Sequence, residues 1–151
     1  MRRRIGRVRN RLAVLAAVCA LAFGATGGTA QATAGGWQYW GNFSWNGVRF
    51  PSGSLYHEVR GSGPRLTGDV ASFASVGSVC DFWIDFDYYA RGQRYFHVQG
   101  AEQRRCARSY ATGWRPQGGS RIMRTGQGCA TLYAWTPSRV ATIARQCHHI
   151  Q

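Results

Sequence analysis

The chain has 151 residues, with nineteen arginines, no lysine and six acids, for a formal net charge of +13. That length supports one well-buried core and excludes an assembly of several. The longest apolar run, Leu12 to Phe23, falls short of the ~20 residues that a membrane-spanning helix needs.

Six arginines and no acid crowd the opening MRRRIGRVRNR, and the apolar run follows them. Small residues then lead to Ala32-Thr33-Ala34, which offers alanine at the −3 and −1 positions of a leader-peptidase site. Together these read as an export signal over residues 1–34, cleaved near Ala34, with a secreted domain over 35–151. Cleavage leaves thirteen arginines against six acids, a formal charge of +7, suited to nucleic acid or to anionic surface polymers.

Beyond Gly35 the chain shows short alternating runs broken by Gly, Asn and Pro, and no sustained 3.6-residue spacing. The expectation is an all-β fold: a single disulfide-stapled β-sandwich or small barrel of about eight antiparallel strands. The opening holds Trp37, Tyr39, Trp40, Phe43, Trp45, Phe50 and Tyr56. Such rings fill a β core or stack on sugars and bases; most are assigned to the core, with Trp37 and Trp40 as ligand-facing candidates. Within FSWNGVRF, Asn46-Gly47 supplies the two residues that a tight hairpin turn requires. Further turns are expected at Pro51–Gly53 and Gly61–Pro64.

His57 stands beside Glu58, and a ribonuclease of the His/Glu/Arg type needs such groups to converge. Neighbouring strand residues face opposite sides, so these two do not act on one atom, and no catalytic residue is assigned. From Cys80 to Tyr89 the alternation places Cys80, Phe82, Ile84, Phe86 and Tyr88 on a core face. Asp81, Trp83, Asp85, Asp87 and Tyr89 fall on the other face, expected to be wet or functional. Carboxylates two apart on one strand lie too far from each other to share an ion unaided. Ion pairs with Arg91 and Arg94 are the simpler expectation, and no metal or cofactor is called for.

A turn near Arg91-Gly92 returns the chain through Tyr95–Val98 and brings residues 103–106 beside Cys80. A second turn at Thr136-Pro137-Ser138 makes Cys129 and Cys147 symmetric about it. Of the three pairings that Cys80, Cys106, Cys129 and Cys147 allow, this symmetry favours 80–106 with 129–147. Residues 104–124 carry Arg104, Arg105, Arg108, Arg115, Arg121 and Arg124 and no acid. Guanidinium forks suit phosphate and carboxylate, so Arg104, Arg105, Arg108, Arg121 and Arg124 are the candidate anion contacts.

At VCDFWIDFDYY, CATLYAW and ARQCHHI, together with WNGVRFPSGSLYHEV, the chain resembles a group of small exported actinobacterial proteins of unassigned activity. That resemblance implies an exported domain and transfers no catalytic motif. The opening WQYWG followed by SLYHEV is similar to lactococcin-972-like bacteriocins, exported β-proteins with a Trp-Tyr-Gly start and a Ser-x-Tyr-x-His element. The leading expectation is a non-enzymatic secreted binding protein for an anionic or sugar-containing cell-surface polymer. The alternatives are a growth inhibitor, as the second resemblance implies, and a small secreted nuclease with nucleic acid as partner.

Overall fold

The computed structural model describes residues 33–151; the export signal read over 1–34 lies almost wholly outside them. Ten strands follow in chain order: β1 (Ala34–Trp40), β2 (Phe43–Trp45), β3 (Val48–Phe50), β4 (Gly53–Ser62), β5 (Arg65–Ala90), β6 (Gln93–Val98), β7 (Gln103–Trp114), β8 (Arg121–Ile122), β9 (Gly126–Trp135) and β10 (Val140–Ile150). β2 and β3 form a separate hairpin, and the other eight build one antiparallel sheet that curls into a half-barrel. No helix among the described residues is long and apolar enough to cross a membrane.

β5 organises the sheet, because both of its edges are occupied along most of its length. Leu55 of β4 and Tyr110 of β7 flank Phe73, while Gln103 of β7 and Ala134 of β9 flank Phe82. β4 and β9 therefore share one edge of β5, with β6, β7 and β8 along the other. Between Ser75, the last partner of β4, and Phe82, the first partner of β9, the strand turns a corner. Val76 there donates its N–H to Ser52 O at 3.0 Å, and the register with β7 shifts on both sides of Val79–Cys80. The curl brings β1 up to β10, where a side chain at Gly36 would press on Gln146 and His148.

The concave face holds the core. Leu55, Val59, Phe73, Phe82, Ile84, Phe86 and Leu132 are buried there, with Phe73 and Phe82 meeting edge to face at 4.9 Å. Each buried aromatic ring of this kind is worth about 3–5 kcal/mol against truncation to alanine.

The expected turns form where the sequence places them. Asn46 and Gly47 adopt φ of 47° and 78°, and Arg91 and Gly92 adopt 52° and 78°. Thr136 closes the last hairpin by hydrogen bonds with Arg139. Both favoured cysteine pairs are bonded, each between directly opposite residues, with Cα atoms 3.9 Å apart for Cys80–Cys106 and 4.0 Å for Cys129–Cys147. By loop entropy each staple is worth about 3 kcal/mol.

Two expectations for residues 80–89 need correction. Asp81 sits in a bulge at φ 50°, which inverts the alternation, so Cys80 lies exposed on the convex side with Cys106 instead of joining Phe82 in the core. The second face is not wet: Trp83, Asp85 and Asp87 are all buried. The sheet is crowded here because β5 is flanked by β6 and β9, and the rings of Tyr133 and Trp135 cover Trp83 at 5.3 and 5.5 Å.

Candidate functional site

Strand register builds a broad convex face from β1, β4, the first half of β5 and β7. Three rows run across it: Tyr39–Ser54–Ala74–Ser109, Trp37–Tyr56–Ser72–Ala111 and Gly35–Glu58–Val70–Gly113. The intervening residues, among them Leu55, His57, Asp69 and Phe73, point to the core and are buried. The floor of the face is thus made mostly of Ser, Ala and Gly, with Val70 among them, and the large side chains stand along β1 and β4 and at Arg115 just past β7. That composition keeps it flat and lets another molecule approach the backbone.

Along β4 the large side chains form a continuous line. Trp37, 52% exposed, packs against Tyr56 with ring centres 4.8 Å apart. The Tyr56 hydroxyl donates to Glu58 Oε2 at 2.8 Å, and Arg60 donates its Nε–H to Glu58 Oε1 at 2.6 Å. The bonds from Arg60 and Tyr56 hold the Glu58 carboxyl below the usual carboxylate range, and bonding to Glu58 pushes the Tyr56 phenol up. Glu58 is therefore ionised, fully paired and fixed in place, and it holds the Tyr56 ring steady beneath Trp37.

Two clefts lie on this face. One, of about 450 Å3, runs beside Tyr39, which is 71% exposed, over Ser54, Ala74 and Val76. The other, of about 790 Å3, lies between Arg60 and Arg115 over Gly68, Val70 and Gly113.

Of the two rings assigned to a ligand, Trp37 is free on this face. Trp40 is half-buried: its indole N–H donates to Pro51 O at 2.6 Å and the ring packs against the core, while it also lines the cleft beside Tyr39. Phe50 is buried and Phe43 stacks on it at 5.0 Å, as expected of core rings, while Tyr39 and Trp45 remain exposed.

The candidate arginines stand in two groups. On β7, Arg104 pairs with Glu102 and lies 5.7 Å from the Trp135 ring, and Arg105 adjoins Cys106 opposite Cys80. Arg108 is exposed farther along β7. Arg121 belongs to β8, opposite Leu66, and stacks over Phe96 at 4.0 Å, while Arg124 lies 5.2 Å from the Tyr95 ring. Four of the five sit on or beside aromatic or carboxylate neighbours or a disulfide.

Sequence reasoning overlooked Arg60. Its signal is the alternation in SLYHEVR, where Tyr56, Glu58 and Arg60 recur every second residue and so share a face.

The aspartates of β5 serve the fold. Asp85 accepts the backbone N–H of Gly100 at 2.9 Å. Asp87 accepts from Arg94 at 3.1 Å and from His97 Nδ1 at 2.8 Å, so the expected pairing with Arg94 forms, around a buried rather than a surface carboxylate. Among the described residues no three His, Cys, Asp or Glu side chains are placed to hold one ion.

Beneath the convex face, His57, Asp69 and Tyr88 form a buried polar chain. The Tyr88 hydroxyl donates to Asp69 Oδ2 at 2.5 Å, and His57 Nε2 meets Asp69 Oδ1 at 2.6 Å. Burial and the neighbouring Asp69 charge push the Tyr88 phenol far above its ordinary value, so it stays a donor. Asp69 accepts hydrogen bonds on both oxygens, from the Tyr88 hydroxyl on one and from His57 Nε2–H on the other. Glu58 faces outward while His57 faces in, which removes the His57–Glu58 pair from any shared chemistry.

No family model, curated protein or solved structure matches this chain. The functional reading therefore rests on the chemistry of the face itself.

Proposed function

We propose that this protein is a non-enzymatic extracellular binding protein that takes a sugar-containing cell-surface polymer on the convex face of β1, β4, β5 and β7. The observation that carries this reading is the pair of exposed rings, Trp37 and Tyr39, standing in register beside a floor of Ser, Ala and Gly. Exposed aromatic rings at the edge of a flat, open groove suit the apolar faces of sugars, and stacking of this kind is worth about 1–3 kcal/mol per ring by analogy with bases. A flat, exposed sheet face accepts a chain rather than a small enclosed molecule.

Two further features support an extracellular setting. Both cysteine pairs are bonded, which suits an oxidising compartment, and the sequence opens with the pattern of an export signal. The positive charge favours approach to an anionic cell surface.

Co-sedimentation of the oxidised protein with isolated cell walls and insoluble polysaccharides tests the reading, at low salt and near 1 M, where electrostatic reach shrinks to about 3 Å. Retention at high salt that is lost in Trp37→Ala is the expected result. Absence of binding under both conditions overturns it.

A further inference from the structure

The convex face is chemically polar along its length. Rings occupy one end and arginines the other: Tyr56 and Arg60 lie four residues apart on β4, a separation of about 13 Å. We propose that the polymer bound here is an acidic glycan, with sugar rings against Trp37 and Tyr39 and a uronate-type carboxylate in the cleft between Arg60 and Arg115. This rests on the saccharide-binding reading above and names the substrate class for the same site.

Charge complementarity selects the occupant. One acid, Asp69, lies under the cleft and another, Glu58, adjoins Arg60 on the same strand, and both are already hydrogen-bonded. Glu58 accepts from Arg60 on one oxygen and from Tyr56 on the other, and Asp69 accepts from His57 and Tyr88. Arg115 enters none of the ion pairs found among the described residues. Its stem runs over Gly68, where an added Cβ would lie 3.6 Å from Arg115 Cγ, so the side chain is laid along the cleft wall. Arg115 is thus a guanidinium of the cleft that stands outside those ion pairs, one donor fork suited to one carboxylate. The fork of Arg60 engages Glu58 through Nε, leaving its terminal nitrogens outside that bond.

The floor favours close approach. At Gly113 a Cβ would stand 2.6 Å from Asp69 O, so no side chain covers the backbone there. A chain of uronate sugars carries rings and carboxylates along one polymer, so successive sugars can occupy the two ends of the face. A phosphodiester-linked polyol carries a similar charge without contiguous rings, and so satisfies the arginine end alone.

Binding of the oxidised protein to polygalacturonate, to a neutral β-glucan and to poly(glycerol phosphate) tests this. Polygalacturonate is expected to bind about tenfold more tightly than the neutral glucan at low salt, as one charge-assisted contact warrants. Arg115→Ala is expected to reduce polygalacturonate binding to the neutral level, and Arg115→Lys, which keeps the charge without the fork, to restore it in part. Equal affinity for acidic and neutral glycans overturns the inference while leaving the saccharide reading standing. Poly(glycerol phosphate) binding as tightly as polygalacturonate overturns the carboxylate assignment. Failure of every glycan to bind removes the underlying reading itself.

Discussion

Asp69 and Tyr88 lie nineteen residues apart on the same strand, yet their side chains meet in a 2.5 Å hydrogen bond. A straight strand would separate them by about 60 Å. The corner between Ser75 and Phe82 folds β5 back on itself, and this bond ties its two arms together across the core. Trp114 of β7 adds its indole N–H to the same hydroxyl at 3.1 Å, so the tie also fixes the strand that borders the candidate cleft.

Tyr88→Phe removes one hydroxyl and leaves two partners short of a bond, the buried Asp69 Oδ2 and the half-buried Trp114 indole. The expected loss is about 1–3 kcal/mol of unfolding free energy, with the fold retained. Asp69→Ala strips the partner from both His57 and Tyr88 and is expected to cost more, about 3–5 kcal/mol. Urea unfolding of the oxidised protein followed by tryptophan fluorescence measures both, and a neutral Tyr88→Phe would deny the tie its role.

The two disulfides differ in access. Cys80 and Cys106 are exposed on the convex side, whereas Cys129 is fully buried beneath Arg145. Limited reduction followed by alkylation and peptide mapping is expected to open Cys80–Cys106 first. Prior opening of Cys129–Cys147 would contradict the described burial.

On the proposed binding face, Trp37→Ala and Tyr39→Ala are each expected to weaken polysaccharide retention about tenfold, because each removes an exposed stacking surface. Their stability should stay within about 0.5 kcal/mol of the parent, as for other surface substitutions. Trp40→Ala is expected to behave in the opposite way. It loses the bond to Pro51 O and core packing, so thermal unfolding should fall while residual binding per folded molecule holds. Parallel melting and co-sedimentation separate the two classes.

Stability is expected to fall on mild acidification. Burial depresses the pKa of His148 below its ordinary 6.5; it faces His57, with Asp69 beyond, across the seam between β1 and β10. Below pH 6.5 the unfolded chain therefore binds the proton more readily than the folded one, so stability drops as pH falls from there to the folded value. Glu58 acts in a lower window. Its pKa is depressed by Arg60 and Tyr56, so its contribution is present above 4.5 and is lost as pH falls through the folded value. His148→Gln is expected to flatten the first drop and leave the second, which melting curves at pH 7.5, 5.5 and 3.5 resolve.

Much of this architecture is legible in the residues. Asn46-Gly47, Arg91-Gly92 and Thr136-Pro137-Ser138 encode their turns through local backbone preference, and the cysteines follow because a hairpin fixes which residues oppose each other. The alternation in residues 54–60 equally sorts His57 inward from Tyr56, Glu58 and Arg60 outward. The phase of residues 80–89 was misread at its start because a single bulge at Asp81 reverses every side chain before it, and bulges leave little trace in composition. The burial of Asp85 and Asp87 escaped for another reason: it depends on β6 and β9 packing on both edges of one strand.

The sequence by itself determined the class of fold, the hairpins and the cysteine pairing, since all of these depend on contacts set by neighbouring turns. Only the tertiary structure decided which rings are free, that β5 bends back so Asp69 meets Tyr88, and that Arg60 joins Arg115 in one cleft while the other arginines go elsewhere. Those outcomes depend on how distant strands are laid side by side, and side-chain period along a strand gives the face a residue occupies without naming its neighbours on that face.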